Sequence, residues 1–201
     1  MFLVAGLGNP QARHATNRHN VGFLVVNELA RRAGVALSTA RFDGRAVKTS
    51  LGRAEVLLLQ PMTYMNRSGG PVASALRFFK LEPDHQLVVI HDELDLEFGV
   101  VRVKVGGGTA GHNGLRSIAD SIGTTDFVRV RIGIGKPEAG GSVTAHVLSD
   151  FSVQERTALS SIVDGAADAV ETILSDGPIA AMNRHNAPAK SRAPLSEEPE
   201  N

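Results

Sequence analysis

Residues 2–10 read Phe-Leu-Val-Ala-Gly-Leu-Gly-Asn-Pro. The apolar run Phe2–Leu7 is cut off by Gly8-Asn9-Pro10, so it reads as a short buried strand with a turn at its end. A second run of this kind, Leu87–His91, is followed at once by Asp92 and Glu93. Continuous apolar strands belong to sheets covered on both faces, and such sheets are largely parallel. Working outward, Asn20–Ala33 places Val21, Leu24, Val25 and Leu29 on one helical face, with Gly34 as a stop. Ala46–Leu51 and Glu55–Gln60 flank Gly52-Arg53 and read as a hairpin. Gly70–Phe79 and Leu115–Ile122 read as helices, and Val100–Val105 and Val128–Ile134 as strands. Ser152 with Glu155 three residues on is a capping-box signature for the longest helix. Val153, Leu159, Ile162, Val163, Ala166, Val170 and Ile173 form its core-facing stripe, and Asp176-Gly177-Pro178 stops it. The alternation predicts a single-domain three-layer α/β/α sandwich over residues 1–185, with a central mixed, mostly parallel sheet. Residues 186–201 hold three prolines and few apolar residues, and read as a disordered tail.

Composition narrows the classes. The 201 residues include no cysteine, which excludes disulfides, thiolate metal sites and a cysteine nucleophile. No run of 18 apolar residues marks a membrane span, and Met1-Phe2-Leu3-Val4 lacks the basic start of a secretory leader, so a cytoplasmic protein is expected. The 21 Lys and Arg balance 21 Asp and Glu. Locally the balance breaks: between Gly99 and Lys136 six basic residues face two acidic ones, which suits a phosphate-bearing partner or an ordinary solvated sheet edge.

In open α/β sheets, ligands bind beyond the carboxyl ends of the strands. Asn9, Asn66, Asp92 and the segment Gly106–Asn113 follow predicted strands, and His19 precedes the first helix. A histidine poised near neutral pH serves as a general base, and a carboxylate on its far nitrogen fixes the tautomer. Asparagine amides donate to a carbonyl oxygen or an oxyanion. No serine stands in a nucleophile elbow, so hydrolysis by activated water is the simplest chemistry. Taken singly, each asparagine and Asp92 also reads as a cap or turn former. Gly106–Gly111 matches a dinucleotide-type glycine pattern, but no acidic residue ends the next strand and no Gly-Lys-Ser/Thr follows. The seven histidines show no metal-ligand spacing, and no metal or other cofactor is expected.

Six segments then carry a resemblance: Val4–Pro10, Arg18–Phe23, Pro61–Gly69, His91–Leu96, Gly111–Leu115 and Arg131–Gly135. In this order and at this spacing the chain resembles the bacterial-type peptidyl-tRNA hydrolase family over roughly residues 2–185. The resemblance implies hydrolysis of the ester joining a peptide to the terminal ribose of tRNA, by a monomeric, metal-free cytoplasmic enzyme. It implies His19 as catalytic histidine, Asp92 as the carboxylate that orients it, and Asn9, Asn66 and Asn113 as substrate-positioning asparagines. It places Met65 and His112 in the same cleft, Lys104 and Arg131 as a clamp on the tRNA 5′-phosphate, and a mobile lid at about 139–150. Gln11, His14 and Glu97 stand where the family usually has glycine, tyrosine and proline. His14 borders the active-site loop and is taken as a substrate contact. The alternative is a non-catalytic RNA-binding relative, which the presence of both His19 and Asp92 disfavours.

Overall fold

The structure is a computed structural model that describes residues 1–187. Seven strands form one sheet: β1 (Phe2–Gly6), β2 (Thr39–Arg41), β3 (Gly44–Leu51), β4 (Ala54–Pro61), β5 (Leu87–Glu93), β6 (Val101–Val105) and β7 (Val128–Gly133). Their spatial order is β2-β3-β4-β1-β5-β7-β6. The helices are α1 (Val21–Arg32), α2 (Gly69–Phe79), α3 (Pro83–Gln86), α4 (Asn113–Ile122), α5 (Val143–Val147), α6 (Val153–Asp176) and α7 (Pro178–His185).

Neighbours β4-β1-β5-β7 are parallel, and β3 and β6 run against them, so five of the seven strands share one direction. Alternation along β1 builds the two faces. Val4 packs toward α1 and α6 with Val25, Leu58, Ile90 and Val170. Leu3 and Ala5 pack toward α2 and α4 with Leu59, Val72, Leu115 and Ile118. The expected sandwich is observed. The sequence missed β2, which returns to β3 through Phe42 and Asp43, both at positive φ (55° and 49°). That backbone suits a tight hairpin turn, but Phe is a poor signal for it.

Three further readings need correction. Val153, assigned to the core stripe, is 67% exposed: it stands in the first turn of α6, beyond the residues that pack on the sheet. Asn186, assigned to the tail, belongs to the domain. Its amide donates to the Val103 carbonyl and accepts from the Val103 N–H, both at 2.8 Å, so it zips the end of α7 onto the edge strand β6. The remaining tail, 188–201, lies outside the described residues. Finally, β6 runs antiparallel to β7, so the Gly106 loop leaves the sheet at the end opposite the carboxyl ends of the parallel strands. It returns across the sheet face to deliver His112 and Asn113. Among the described residues no helix is long and apolar enough to cross a membrane.

One close approach sets the site. A Cβ on Gly6 would lie 2.2 Å from the Gly22 carbonyl oxygen, and a Cβ on Gly22 would lie 2.5 Å from the Ile90 carbonyl oxygen. Backbone contact of α1 with β1 and β5 is therefore possible only because both residues are glycine. In a free helix Gly22→Ala would gain up to about 1 kcal/mol. Here it should instead destabilise by about 1–3 kcal/mol through overpacking. Urea unfolding of the variant checks the sign, with a lowered midpoint at unchanged slope as the expected result.

Candidate active site

A short 3₁₀ turn, Arg18–Asn20, leads into α1 and carries His19. Its Nδ1 lies 2.7 Å from Asp92 Oδ1 at the end of β5. His112 Nε2 lies 3.1 Å from the same oxygen. His112 caps α4: its Nδ1 accepts the N–H of Gly114 (3.1 Å) and of Leu115 (3.3 Å). An accepting Nδ1 carries no proton, so in neutral His112 the hydrogen sits on Nε2 and is donated to Asp92. His19 likewise donates Nδ1–H to Asp92, which leaves its Nε2 as a lone pair on the opposite edge of the ring. The tautomers follow from the hydrogen-bond pattern. Burial alone would raise the Asp92 carboxyl, but the two facing histidines outweigh it and hold it well below the usual carboxylate range. The three side chains are close enough to bracket a cation, with ligand atoms within 4.8 Å of one another. In the bonding just described, however, the protons of His19 and His112 occupy the space between the ring nitrogens and Asp92.

The asparagines are set by the chain around them. Asn20, which starts α1 without capping it, turns its amide to the first loop instead. Its Oδ1 accepts the Asn9 N–H (2.8 Å) and its Nδ2 donates to the Asn9 carbonyl (3.0 Å). Asn9 Oδ1 accepts the Met65 N–H at 3.1 Å, so its Nδ2 hydrogens are left for the cleft. This role of Asn20 was legible only as the residue beside His19. Asn66 and Asn113 are exposed at the rim, and Met65 is buried beneath it.

These groups line a cleft of about 690 Å³. Leu94, Val143, Val147 and Leu148 give it an apolar wall, and Tyr64 stands exposed at its edge. Sequence patterning did not single out Tyr64, while α5 lies within the 139–150 stretch that the resemblance marked. A larger depression of about 1210 Å³ lies at the far end, between the start of β1, the β3–β4 turn, α6 and α7. The cluster of His19, Asp92 and His112 lies in the smaller one. His14 is not part of the cleft lining: its Nδ1 lies 2.6 Å from Asn17 Oδ1. Gln11 reaches the Tyr64 hydroxyl with its amide at 3.1 Å. Arg18, buried beside His19, donates to Ser149 Oγ (2.8 Å), to the Asp150 carbonyl and to Glu155 Oε2 (2.6 Å). The base of the 139–150 segment is thereby tied to the run that carries His19.

Lys104 and Arg131 lie on neighbouring strands and on one sheet face. Lys104 pairs in register with Arg129, and Arg102 with Arg131. Arg131 is not isolated: Nε and one terminal nitrogen both reach Glu93 Oε2 at 2.9 Å. Glu93 itself lines the cleft.

A buried carboxylate that orders one histidine from below and opens its other nitrogen to a cleft defines a water-activating hydrolase of the general-base class. The sequence profile of peptidyl-tRNA hydrolase matches residues 3–193. The peptidyl-tRNA hydrolase of Frankia casuarinae is 49% identical over 186 residues, 92% of this chain and 94% of the relative. That of Paenarthrobacter aurescens is 44% identical over 192 residues, 94% of this chain and 98% of the relative. The crystal structure of the Acinetobacter baumannii peptidyl-tRNA hydrolase matches with a TM-score of 0.86 at 40% identity, covering 93% of this chain and 95% of that one. The chain belongs to the peptidyl-tRNA hydrolase family.

His91 supplies a test of how dry the site is. It is 1% exposed, donates Nδ1–H to the Asp92 carbonyl (2.7 Å) and leaves Nε2 unpartnered. Burial, with His112 set edge-on at 5.0 Å, pushes it down to about 3 from its ordinary 6.5. Between those values the unfolded chain binds a proton that the native chain refuses, so stability falls as pH drops from 6.5 toward 3. His91→Gln should therefore lose less stability than the parent between neutral pH and mild acid. Equal acid losses in paired denaturant titrations would mean that His91 takes up its proton in the native state.

Proposed function

We propose that this chain cleaves the ester between a peptide, or an N-blocked aminoacyl group, and the terminal ribose of tRNA, with His19 as general base. The observation that carries the mechanism is the double hydrogen bond to Asp92 Oδ1, which commits His19 Nδ1–H and presents Nε2 to the cleft. A water beside Nε2 attacks the ester carbonyl and gives its proton to His19. Asp92 stabilises the imidazolium. The Nδ2 hydrogens of Asn9 meet the oxygen on which negative charge develops. Collapse of the tetrahedral intermediate breaks the bond to the ribose oxygen, and His19 returns the proton to that oxygen. The products are the free peptide acid and tRNA.

Asn66 and Asn113 hold the backbone of the acyl group at the rim, and Met65 and the apolar wall receive its side chains. Val143 and Leu148 of the 139–150 segment close over them as a lid. Lys104 and Arg131, on the adjoining sheet face, take RNA phosphate, which carries no base information and admits many tRNAs. The enzyme works as a monomer in the cytoplasm, with no metal or other cofactor, over a catalytic domain that includes Asn186. A non-catalytic RNA-binding role leaves the Asp92–His19 geometry without a purpose.

The experiment is incubation of the purified chain with N-blocked aminoacyl-tRNA, following release of free tRNA. His19→Ala should lower the rate on the order of 10²–10⁴-fold or more while retaining tRNA binding. Near-normal turnover of that variant overturns the mechanism. Asp92→Asn is nearly isosteric and should slow turnover through the wrong His19 tautomer, with little change in melting temperature. A collapse in melting temperature would instead make Asp92 a structural residue.

A further inference from the structure

The glycine loop after β6 contains a feature that the ester chemistry does not use. The Arg129 guanidinium, on a residue only 2% exposed, donates to the carbonyls of Gly107 (2.5 Å), Gly108 (2.6 Å) and Thr125 (3.0 Å). A trans peptide carries its N–H antiparallel to its C=O, and the described chain has no cis peptide. With the carbonyls of Gly107 and Gly108 turned inward to Arg129, the N–H groups of Gly108 and Thr109 are turned outward. The backbone N–H groups from Gly107 to Gly111 donate to no acceptor among the described residues. Gly107 and Gly108 are exposed, and the space over Gly108 is open. Lys104 lies against the same loop: its Cε and Nζ are 2.8 Å from where a Gly107 Cβ would stand. The Asp126 carboxylate sits against Gly106, ahead of these amides in the chain.

Two outward amides beside an ammonium make a concave donor set for an anion, and charge assistance strengthens each contact. The register fixes where this set lies. Lys104 is level with Arg129, and Arg129 with Val89, three residues before Asp92. That is roughly 10 Å down the strand and roughly 10 Å across two strands from the ester site. We infer that the Gly108 and Thr109 amides, together with Lys104, bind an RNA phosphate, and that Arg129 is the positioning residue that turns these amides outward. The inference rests on the proposed tRNA substrate. It gives the glycine motif an anion to hold without a nucleotide cofactor. It also gives Arg129 a task distinct from Arg131, whose guanidinium is engaged by Glu93.

The test is a titration of the full ¹⁵N-labelled chain with an RNA hairpin that has an unpaired 3′ end, carrying or lacking a 5′-phosphate. The Gly108 and Thr109 amide protons should move downfield together. Movement with both hairpins assigns the site to an internal phosphodiester, and movement with the phosphorylated hairpin alone assigns it to the terminal phosphate. Both results support the site. If cleft amides such as Asn113 respond while Gly108 and Thr109 stay in place, the site is overturned. In turnover of N-blocked aminoacyl-tRNA, Arg129→Met should raise KM about tenfold with kcat nearly unchanged, the scale of a lost charge-assisted hydrogen bond. Arg129→Lys should not rescue it, because a point charge does not span three carbonyls. A fall in kcat with KM unchanged overturns the positioning role. Failure of the esterase reading appears separately, as a parent protein that releases no tRNA but still shows the amide shifts.

Discussion

A single carboxylate oxygen, Asp92 Oδ1, receives hydrogen bonds from two imidazoles. A buried charge is tolerable only when it is fully hydrogen-bonded, and much of the architecture answers that demand. Asp92 ends a strand in the middle of the sheet, where water is excluded. His19 reaches it because Gly6 and Gly22 let α1 touch the strands backbone to backbone. His112 reaches it because the first amides of α4 hold its other nitrogen. Remove any one of these and the carboxylate loses a partner in a dry site. The same constraint that makes the cluster costly makes its proton pattern unambiguous. The proposed mechanism uses that pattern: a base that is always in the right tautomer.

The fold was legible wherever the apolar pattern was dense. β1, β5, the β3–β4 hairpin and the capped start of α6 follow directly from runs, turns and a capping box. Asp92 and Asn9 were legible as polar residues at strand ends, and His19 as the histidine just before the first helix. The missed features depend on partners distant in sequence. Nothing local in Val101–Val105 says which way that strand runs, because pairing with β7 decides it. Arg129 and Arg131 are two residues apart and look alike, yet one grips carbonyls and the other a carboxylate. His14 reads as a substrate contact because it borders the active-site loop where the family usually has tyrosine, but its ring meets Asn17. Asn186 follows the last helix and looked like tail, because a single side chain zipping an edge strand leaves no periodic trace.

The two faces of the sheet are finished differently. On one side α1, α6 and α7 cover the apolar residues. On the other, α2 and α4 cover β4, β1 and β5, while β7 and β6 carry Arg102, Lys104, Arg129 and Arg131. Four cations on adjacent strands repel one another. Glu93 relieves one, and loop carbonyls relieve another. In the proposed mechanism this cationic flank beside the cleft lets one rigid sheet hold both the reactive end and the backbone of a long substrate.

The tie between Arg18 and the 149–155 segment has a mechanical meaning. Glu155 accepts from Arg18 and, within its capping box, from the Ser152 N–H. The downstream end of the 139–150 segment is thus tied to the longest helix and to the turn that carries His19 at the same point. His146, under α5, is pinned to the carbonyls of Ile134 and Gly135 (3.2 and 3.1 Å). What remains to bend is the short stretch around Pro137–Ser142, with Gly140 and Gly141 at its centre. The flap therefore has one pivot and a fixed heel. In the proposed mechanism a peptide that presses on this segment loads Arg18, the residue next to His19.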